Sequence, residues 1–362
     1  MQKYSESNQT TKSFLQLTGT TQWVYIWGMN EKVGTDIKRA ASHLKAGELV
    51  AIPTETVYGL AANALDEVAV TRIFEVKNRP QFNPLILHIA NLAQLEKLDL
   101  RFPAKALALA EKFSPGPLTY LIPTSSKVPG IVTAGTPAVA IRIPNHPMTL
   151  QLLNLLDFPL AAPSANPSGL VSPTKASHVS EQLGDQVNYI LDGGECQIGL
   201  ESTIISFLEP IPRILRYGGI TTEAIEAVIG PVNLPEGGFV DNPVAPGMLA
   251  RHYATNHPLL LGNADSLIAQ AHQTDPIPRI VTISLNQTYK EIPTAYQFQL
   301  SPSADLSEAA RRLFATMRLA DEMDIDLIIA QEFPDRGLGR AINDRLKRAS
   351  TEAGQFLKPL TQ

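Results

Sequence analysis

The sequence runs through one helix–strand rhythm, breaks off, and then starts a second, and this break constrains the fold more than any single motif. From residue 34 helical and strand-like segments interleave. "TDIKRAASHLKAG" has helical spacing and stops at Gly47, a residue suited to the left-handed turn that closes a helix. "ELVAIPT" reads as a buried strand, "EVAVTRIFEVK" as a helix, "PLILHIA" as a strand and "PAKALALAEKF" as a helix. Strand-like "LTYLIP", "AVAIRIP" and "PLAAPSA" come next, then helical "TKASHVSEQL", three further strand-like runs, and helical "TTEAIEAVIG". Because several strands follow one another directly, the spacing predicts a mixed sheet rather than a purely parallel one.

Residues 231–258, "PVNLPEGGFVDNPVAPGMLARHYATNHP", are rich in proline and glycine and fit no periodic element. A second alternation then begins with "PLLLG" and ends with the helix "GRAINDRLKRAS", Rossmann-like in rhythm. The expected division is an N-terminal extension (1–33), a larger α/β domain (34–230), a linker (231–258) and a smaller α/β domain (259–362). In the extension Trp23, Tyr25 and Trp27 alternate like a short edge strand.

Composition excludes some classes. Thirty Lys plus Arg against 35 Asp plus Glu give a formal net charge of −5, unsuited to a protein that chiefly coats nucleic acid. Cys196 is the single cysteine, so no internal disulfide forms. The N-terminus lacks the pattern of a secretory signal, and no run of roughly 18 apolar residues occurs. The expectation is a soluble, cytoplasmic protein with no membrane partner.

The chemistry concentrates at strand ends. In "FEVKNRPQFNPL" Lys77 and Arg79 sit one residue apart in a turn without glycine, stiffened by Pro80 and Pro84, with Gln81 and Asn83 nearby. An ammonium beside a forked guanidinium suits phosphate or carboxylate oxygens. "PTETVYGL" brings Thr54, Glu55, Thr56 and Tyr58 to the end of a strand, as a turn satisfying its own backbone or as a ligand rim. Arg142 lies in an apolar strand and needs an anionic partner, either a structural carboxylate or that of a substrate. His88 lies in another strand. Ser164 and Asn166 alternate in "APSANPSG", Ser172 follows, Ser202 opens the next strand, and Arg216 precedes a glycine pair. There is no Walker-type loop, no G-x-S-x-G elbow, and no zinc-ligand spacing, so no protein-held metal is expected. "GLGRAI" is a weak dinucleotide signal, with Ile342 where a third glycine belongs. Cations among hydroxyls and amides, with no clear acid–base dyad, suit phosphoryl or nucleotidyl transfer.

"PTETVYGL", "KNRP…NPL", "SPGPLT", "AIRIPNH", "APSANPSG", "GLESTI" and "LRYGG" occur in that order over residues 53–219. Together they resemble the YrdC-like domain of the threonylcarbamoyl-adenylate synthases, and "PGMLARHYA" with the α/β segment after it resembles that family's long two-domain form. The resemblance implies a YrdC-like twisted mixed sheet linked to a smaller Rossmann-like domain. It implies condensation of L-threonine, bicarbonate and ATP, carrying Mg²⁺, to threonylcarbamoyl-AMP and pyrophosphate. The product would pass to a tRNA threonylcarbamoyl transferase complex. By similarity Lys77, Arg79, Ser164 and Asn166 are catalytic, and Thr54, His88, Arg142 and Ser202 surround threonine. Lys77, Gln81, Ala138, Ala162, Ser164, Ser172, Arg216 and His252 would form the ATP site, with His252 and Tyr253 facing in from a linker lid. Ala245, and Asn256-His257 before a proline, depart from the family pattern. "RGLGRAINDRLKR" is locally basic, and a solvated helix face is the favoured account of it over a weak contact with tRNA or with a transferase partner. The rival readings are an RNA-binding groove, needing the cations but not the hydroxyls, and a carbamoyltransferase domain, disfavoured because its companion segments are missing.

Overall fold

The computed structural model describes residues 32–235, 245–246 and 252–351. The stretch with Trp23, Tyr25 and Trp27 and much of the expected linker lie outside the described residues. Ten strands form the larger sheet: β1 (Val33–Gly34), β2 (Val50–Ile52), β3 (Gly59–Asn63), β4 (Ile86–His88), β5 (Leu118–Pro123), β6 (Ala138–Arg142), β7 (Leu160–Ala161), β8 (Tyr189–Leu191), β9 (Thr203–Ser206) and β10 (Arg213–Arg216). They lie in the order β1-β8-β2-β3-β7-β4-β6-β5-β9-β10. Parallel pairs such as β4–β6 and β5–β9 mix with antiparallel ones such as β5–β6 and β9–β10, as the run of successive strands predicted.

A second sheet is wholly parallel: β11 (Leu259–Gly262), β12 (Ile280–Ser284), β13 (Gln297–Gln299) and β14 (Leu327–Gln331), in the order β11-β14-β12-β13. Parallel neighbours need long returns. Helices Ala264–Ala271 and Leu306–Asp321 supply two of them, and helix Leu338–Ala349 follows β14. Among the described residues no helix is long and apolar enough to cross a membrane.

The helix Glu67–Lys77 shows how local chemistry sets the site. Asp66 caps it by accepting from the N–H groups of Val68 and Ala69, and Ala69, Val70, Ile73 and Phe74 bury one stripe. It stops at Asn78, which takes the left-handed conformation (φ 49°) that glycine usually supplies. Arg79 N–H then closes on Phe74 O at 2.9 Å, which fixes where the Arg79 side chain departs.

The two sheets share a core. Val57, Val171 and Leu200 of the first half pack with Tyr253, Leu313, Phe314, Met317 and Leu346. Gly199 (φ +76°) lets helix Leu306–Asp321 approach closely, since a Cβ there would lie 2.5 Å from Arg311 O. The longer elements without a counterpart in the sequence reading are β3, hidden in the Thr- and Gly-containing turn, and helix Pro147–Asn154.

Candidate active site

Lys77 is the last residue of its helix and is buried. Its Nζ donates to Ser164 O (2.5 Å) and to Asn166 O, while Ser168 N–H donates to Lys77 O at 2.7 Å. The Pro-Ser-Ala-Asn stretch is held there by antiparallel bonding to the Tyr58–Leu60 segment: Leu60 N–H to Pro163 O and Ala165 N–H to Tyr58 O. Arg79, also buried, donates to Asn83 O (3.1 Å) and Pro84 O (2.8 Å). Among the described residues neither cation has a carboxylate partner. Burial, then the Arg79 charge, holds the Lys77 amine well below its ordinary pKa. Burial, then Arg216, presses Arg79 to about 9, still protonated at neutral pH.

Sheet register lines up a second group. His88 pairs with Arg142 across β4–β6, and Arg142 with Thr119 across β5–β6, so the three occupy one row on one face. Thr119 Oγ1 lies 2.7 Å from Ser202 Oγ, just ahead of β9. Arg216, after an irregularity in the β9–β10 register, donates to Ser202 O through Nε (3.1 Å) and Nη2 (2.9 Å), and to Ser202 Oγ (3.1 Å). Of the two partners open to Arg142, the structure places the structural one: Glu55 Oε1 lies 2.8 Å from Nη2, outside hydrogen-bond angles. Burial, then Arg142, pushes His88 down to about 3, so its ring is neutral.

The other expected residues divide. Thr54 Oγ1 donates to Val57 O at 2.6 Å, closing the turn. Asn166 Nδ2 donates to Pro167 O and Leu170 O, leaving its buried Oδ1 without a partner. Ser172 Oγ donates to Glu201 Oε1 at 2.6 Å. Ala138 shares a face with Arg142 by strand alternation, above Ile86, Leu121, Ala140 and Ile204, and the linker residue Ala245 packs on this apolar patch. The neighbouring Pro246 O accepts from Arg216 Nη1 at 3.3 Å. Ala162 is buried, its N–H bonded to Ile86 O, whereas Gln81 is exposed.

His252 is buried with Nδ1 unpartnered. Burial lowers it to about 3, with Arg79, Lys77 and Arg216 adding to the shift against Glu201. Tyr253 differs from the expected inward lid residue. It stacks on Phe314 at 5.2 Å, under the Arg345 guanidinium at 5.5 Å, because its ring completes the core shared by the two sheets.

Glu55, read from the sequence only as part of a strand-end turn or rim, and Thr119, Glu201 and Arg345, not expected as site residues, belong to these networks. Glu55 and Arg142 are each a charge in apolar surroundings, and each needed the other. Arg345 falls on the apolar stripe of its helix with Ala341, Ile342, Leu346 and Ala349, a signal readable from spacing alone.

Fold and site together define a two-domain α/β protein of the YrdC-like class. A family model described as Telomere recombination matches residues 42–218, and one described as Threonylcarbamoyl-AMP synthase, C-terminal domain, matches residues 220–351. Threonylcarbamoyl-AMP synthase from Pyrococcus abyssi is 43% identical over 327 residues, covering 87% of this chain and 94% of the relative. The Bacillus subtilis protein of that name is 43% identical over 321 residues, with 87% and 92% covered. The Schizosaccharomyces pombe one is 36% identical over 347 residues, with 83% and 85% covered. The crystal structure of P. abyssi Sua5 complexed with L-threonine matches with a TM-score of 0.81 at 44% identity, over 87% of this chain and 94% of that one. The chain belongs to the threonylcarbamoyl-AMP synthase family, in its two-domain form.

Proposed function

We propose that the chain joins L-threonine, bicarbonate and ATP into threonylcarbamoyl-AMP, with Lys77, Arg79, Ser164 and Asn166 at the phosphates and Thr54, His88, Arg142 and Ser202 around threonine. The observation that carries the reading is the pair of buried cations, Lys77 and Arg79, held among the described residues by backbone carbonyls alone. An unmatched buried charge is costly, and a polyphosphate would supply the missing counter-charge. The names of the relatives and the threonine in the P. abyssi complex support the same substrates.

In this reading the threonine amine and bicarbonate form a carbamate and water. A carbamate oxygen attacks the α-phosphorus and pyrophosphate leaves in line. Both partners are anionic, so the work of the site is to neutralise charge and to position. Arg142 meets the threonine carboxylate, and neutral His88 with the Thr119–Ser202 hydroxyl pair reads the threonine hydroxyl, which disfavours valine. Ser172, Arg216 and His252 complete the nucleotide side, with Gln81 at its exposed edge and the Ala138 and Ala162 backbones beside it. Among the described residues no group of three or more His, Cys, Asp or Glu is placed to hold a metal. Magnesium arriving with ATP would supply further counter-charge to the phosphates beside Lys77 and Arg79.

We read residues 34–230 as the catalytic domain, 259–362 as the second domain, and 231–258 as a linker closing over the nucleotide. Ala245 on the Ala138 face and the Pro246–Arg216 bond support that closure. The same reading places the protein in the cytoplasm and passes the product to a tRNA threonylcarbamoyl transferase complex. A tRNA contact at the last helix would rest on the exposed Arg336 and Lys347, because Arg340, Arg345 and Arg348 pair with carboxylates.

Purified protein given labelled threonine, bicarbonate and magnesium-ATP should yield a threonine-labelled adenylate and pyrophosphate. No such product, with RNA binding that survives Lys77→Ala plus Ser202→Ala, would overturn the enzyme reading. Deleting residues 244–256 should impair turnover, and unchanged turnover would remove the closure.

A further inference from the structure

We propose that Arg345, from the second domain, is a positioning residue for the reaction: it fixes Glu201, and through Glu201 the Ser172 hydroxyl and the backbone that presents Ser202. This rests on the reading of the site given under Proposed function.

Arg345 is fully buried although it lies on the last helix of the second half. Its Nε donates to Glu201 Oε2 at 3.0 Å, and Nη1 donates to Tyr217 O at 2.7 Å and Asp344 Oδ2 at 2.8 Å. The other oxygen of Glu201 accepts from Ser172. One carboxylate therefore spans from the second domain to a hydroxyl of the nucleotide side. The next residue, Ser202, is gripped through O and Oγ by Arg216. Arg345 thus orders both loops with one guanidinium, whose planar fork suits several acceptors at once.

Helix Leu306–Asp321 supports the same loops independently. Its backbone at Arg311 packs on Gly199, two residues before Glu201, and Arg318 donates to Val171 O and to Gln182 Oε1 (2.8 Å), just ahead of Ser172. The second domain is in this view a brace for two loops of the first. That accounts for a buried arginine where a solvated helix face was the simpler expectation.

The groups facing Glu201 are Arg345 with Asp344 from the last helix, Arg216 from β10, the Ser172 hydroxyl, and His252 with Tyr253 from the end of the linker. Burial alone would raise the Glu201 carboxyl, but Arg345 and then Arg216 outweigh it and leave the pKa at about 2. Removing Arg345 therefore brings Glu201 titration up toward the working pH. A protonated Glu201 holds Ser172 less firmly.

The test is steady-state kinetics of the full chain, with threonine, bicarbonate and magnesium-ATP, across pH. Arg345→Met should lower kcat/KM by about 10–100-fold, the range for residues that orient a ligating group, chiefly by raising KM for ATP. It should also introduce an acid limb absent from the wild type. Arg345→Lys should remove that limb by restoring a charge opposite Glu201, with KM still raised. Arg345→Met combined with Glu201→Gln should also lack the limb, because glutamine does not titrate, and it keeps the test open if the single variant does not fold. A folded Arg345→Met protein, or the double variant, with wild-type KM would overturn the proposal, as would a pH-independent loss that merely follows thermal stability. A wild-type protein without threonine-dependent pyrophosphate release would instead sink the functional reading itself.

Discussion

Among the described residues two kinds of buried positive charge can be set side by side, and they are built on opposite principles. Arg345 pairs with Glu201, and Arg142 faces Glu55, so each of these two charges has a carboxylate within the chain. Among the described residues Lys77 and Arg79 have only carbonyl oxygens. A cation matched inside the fold holds the fold together. A cation left on carbonyls raises the free energy of the unliganded protein and lowers that of a complex with an anion. The contrast marks Lys77 and Arg79 as the pair left for an anion from outside, while Arg345 serves the fold and Arg142 serves the fold as well as the site.

Mutation should make the same separation. The largest effect expected is on activity at the unmatched pair: Lys77→Met should cost about 10³-fold in kcat/KM, in line with losing one charge-stabilising donor. Its urea midpoint should be unchanged or higher, and a large fall would show that Lys77 is structural. Arg345→Met should instead lower stability by about 3–5 kcal/mol, because it strands a buried carboxylate. Urea unfolding measures it, and a change below about 1 kcal/mol, the scale of an exposed pair, would erase the contrast. Gly199→Ala forces a methyl against the Arg311 backbone and should cost about 1–3 kcal/mol. Activity should fall with it, since the loop carrying Glu201 moves.

Proton linkage gives two smaller effects of the same sense in different windows, because folding lowers both pKa values and stability rises with pH through each. Glu201 falls from an ordinary 4.5 to about 2 in the folded protein. Its share of stability is present above pH 4.5 and is lost as pH falls toward 2. Lys77 is lowered from an ordinary 10.5, so through the window below that value the unfolded chain holds more protons and stability rises with pH. An anion beside Lys77 would raise its pKa back toward the ordinary value. Binding of ATP should therefore take up a fraction of a proton, read by calorimetry in buffers of different ionisation enthalpy, and Lys77→Met should abolish it.

Much of this was legible in the sequence. The helix Glu67–Lys77 and the strand Leu118–Pro123 coincide with their apolar patterns, and the order of strands announced a mixed sheet. β3 was hidden because "GLAAN" has little intrinsic strand preference; pairing to β2 and β7 makes it a strand. Helix Pro147–Asn154 carried a readable start in Pro147 at its first turn, but it is only eight residues long. For the site, residue types pointed to anions and motif order pointed to the family. The partners did not follow from either, because Glu55–Arg142 and Glu201–Arg345 are contacts made by tertiary packing.

The 144 residues between Glu201 and Arg345 also set a schedule for biogenesis. A chain emerging at the usual pace of translation has Glu201 in hand for roughly 7–30 s before Arg345 is polymerised. During that interval the nascent first half carries an acid with no guanidinium to meet it. The carboxylate must stay hydrated or protonated, and the loops bearing Ser172 and Ser202 stay loose. Docking of the helix that carries Arg345 ends that state, so the site is complete only once the second domain has been made, not when the first domain folds.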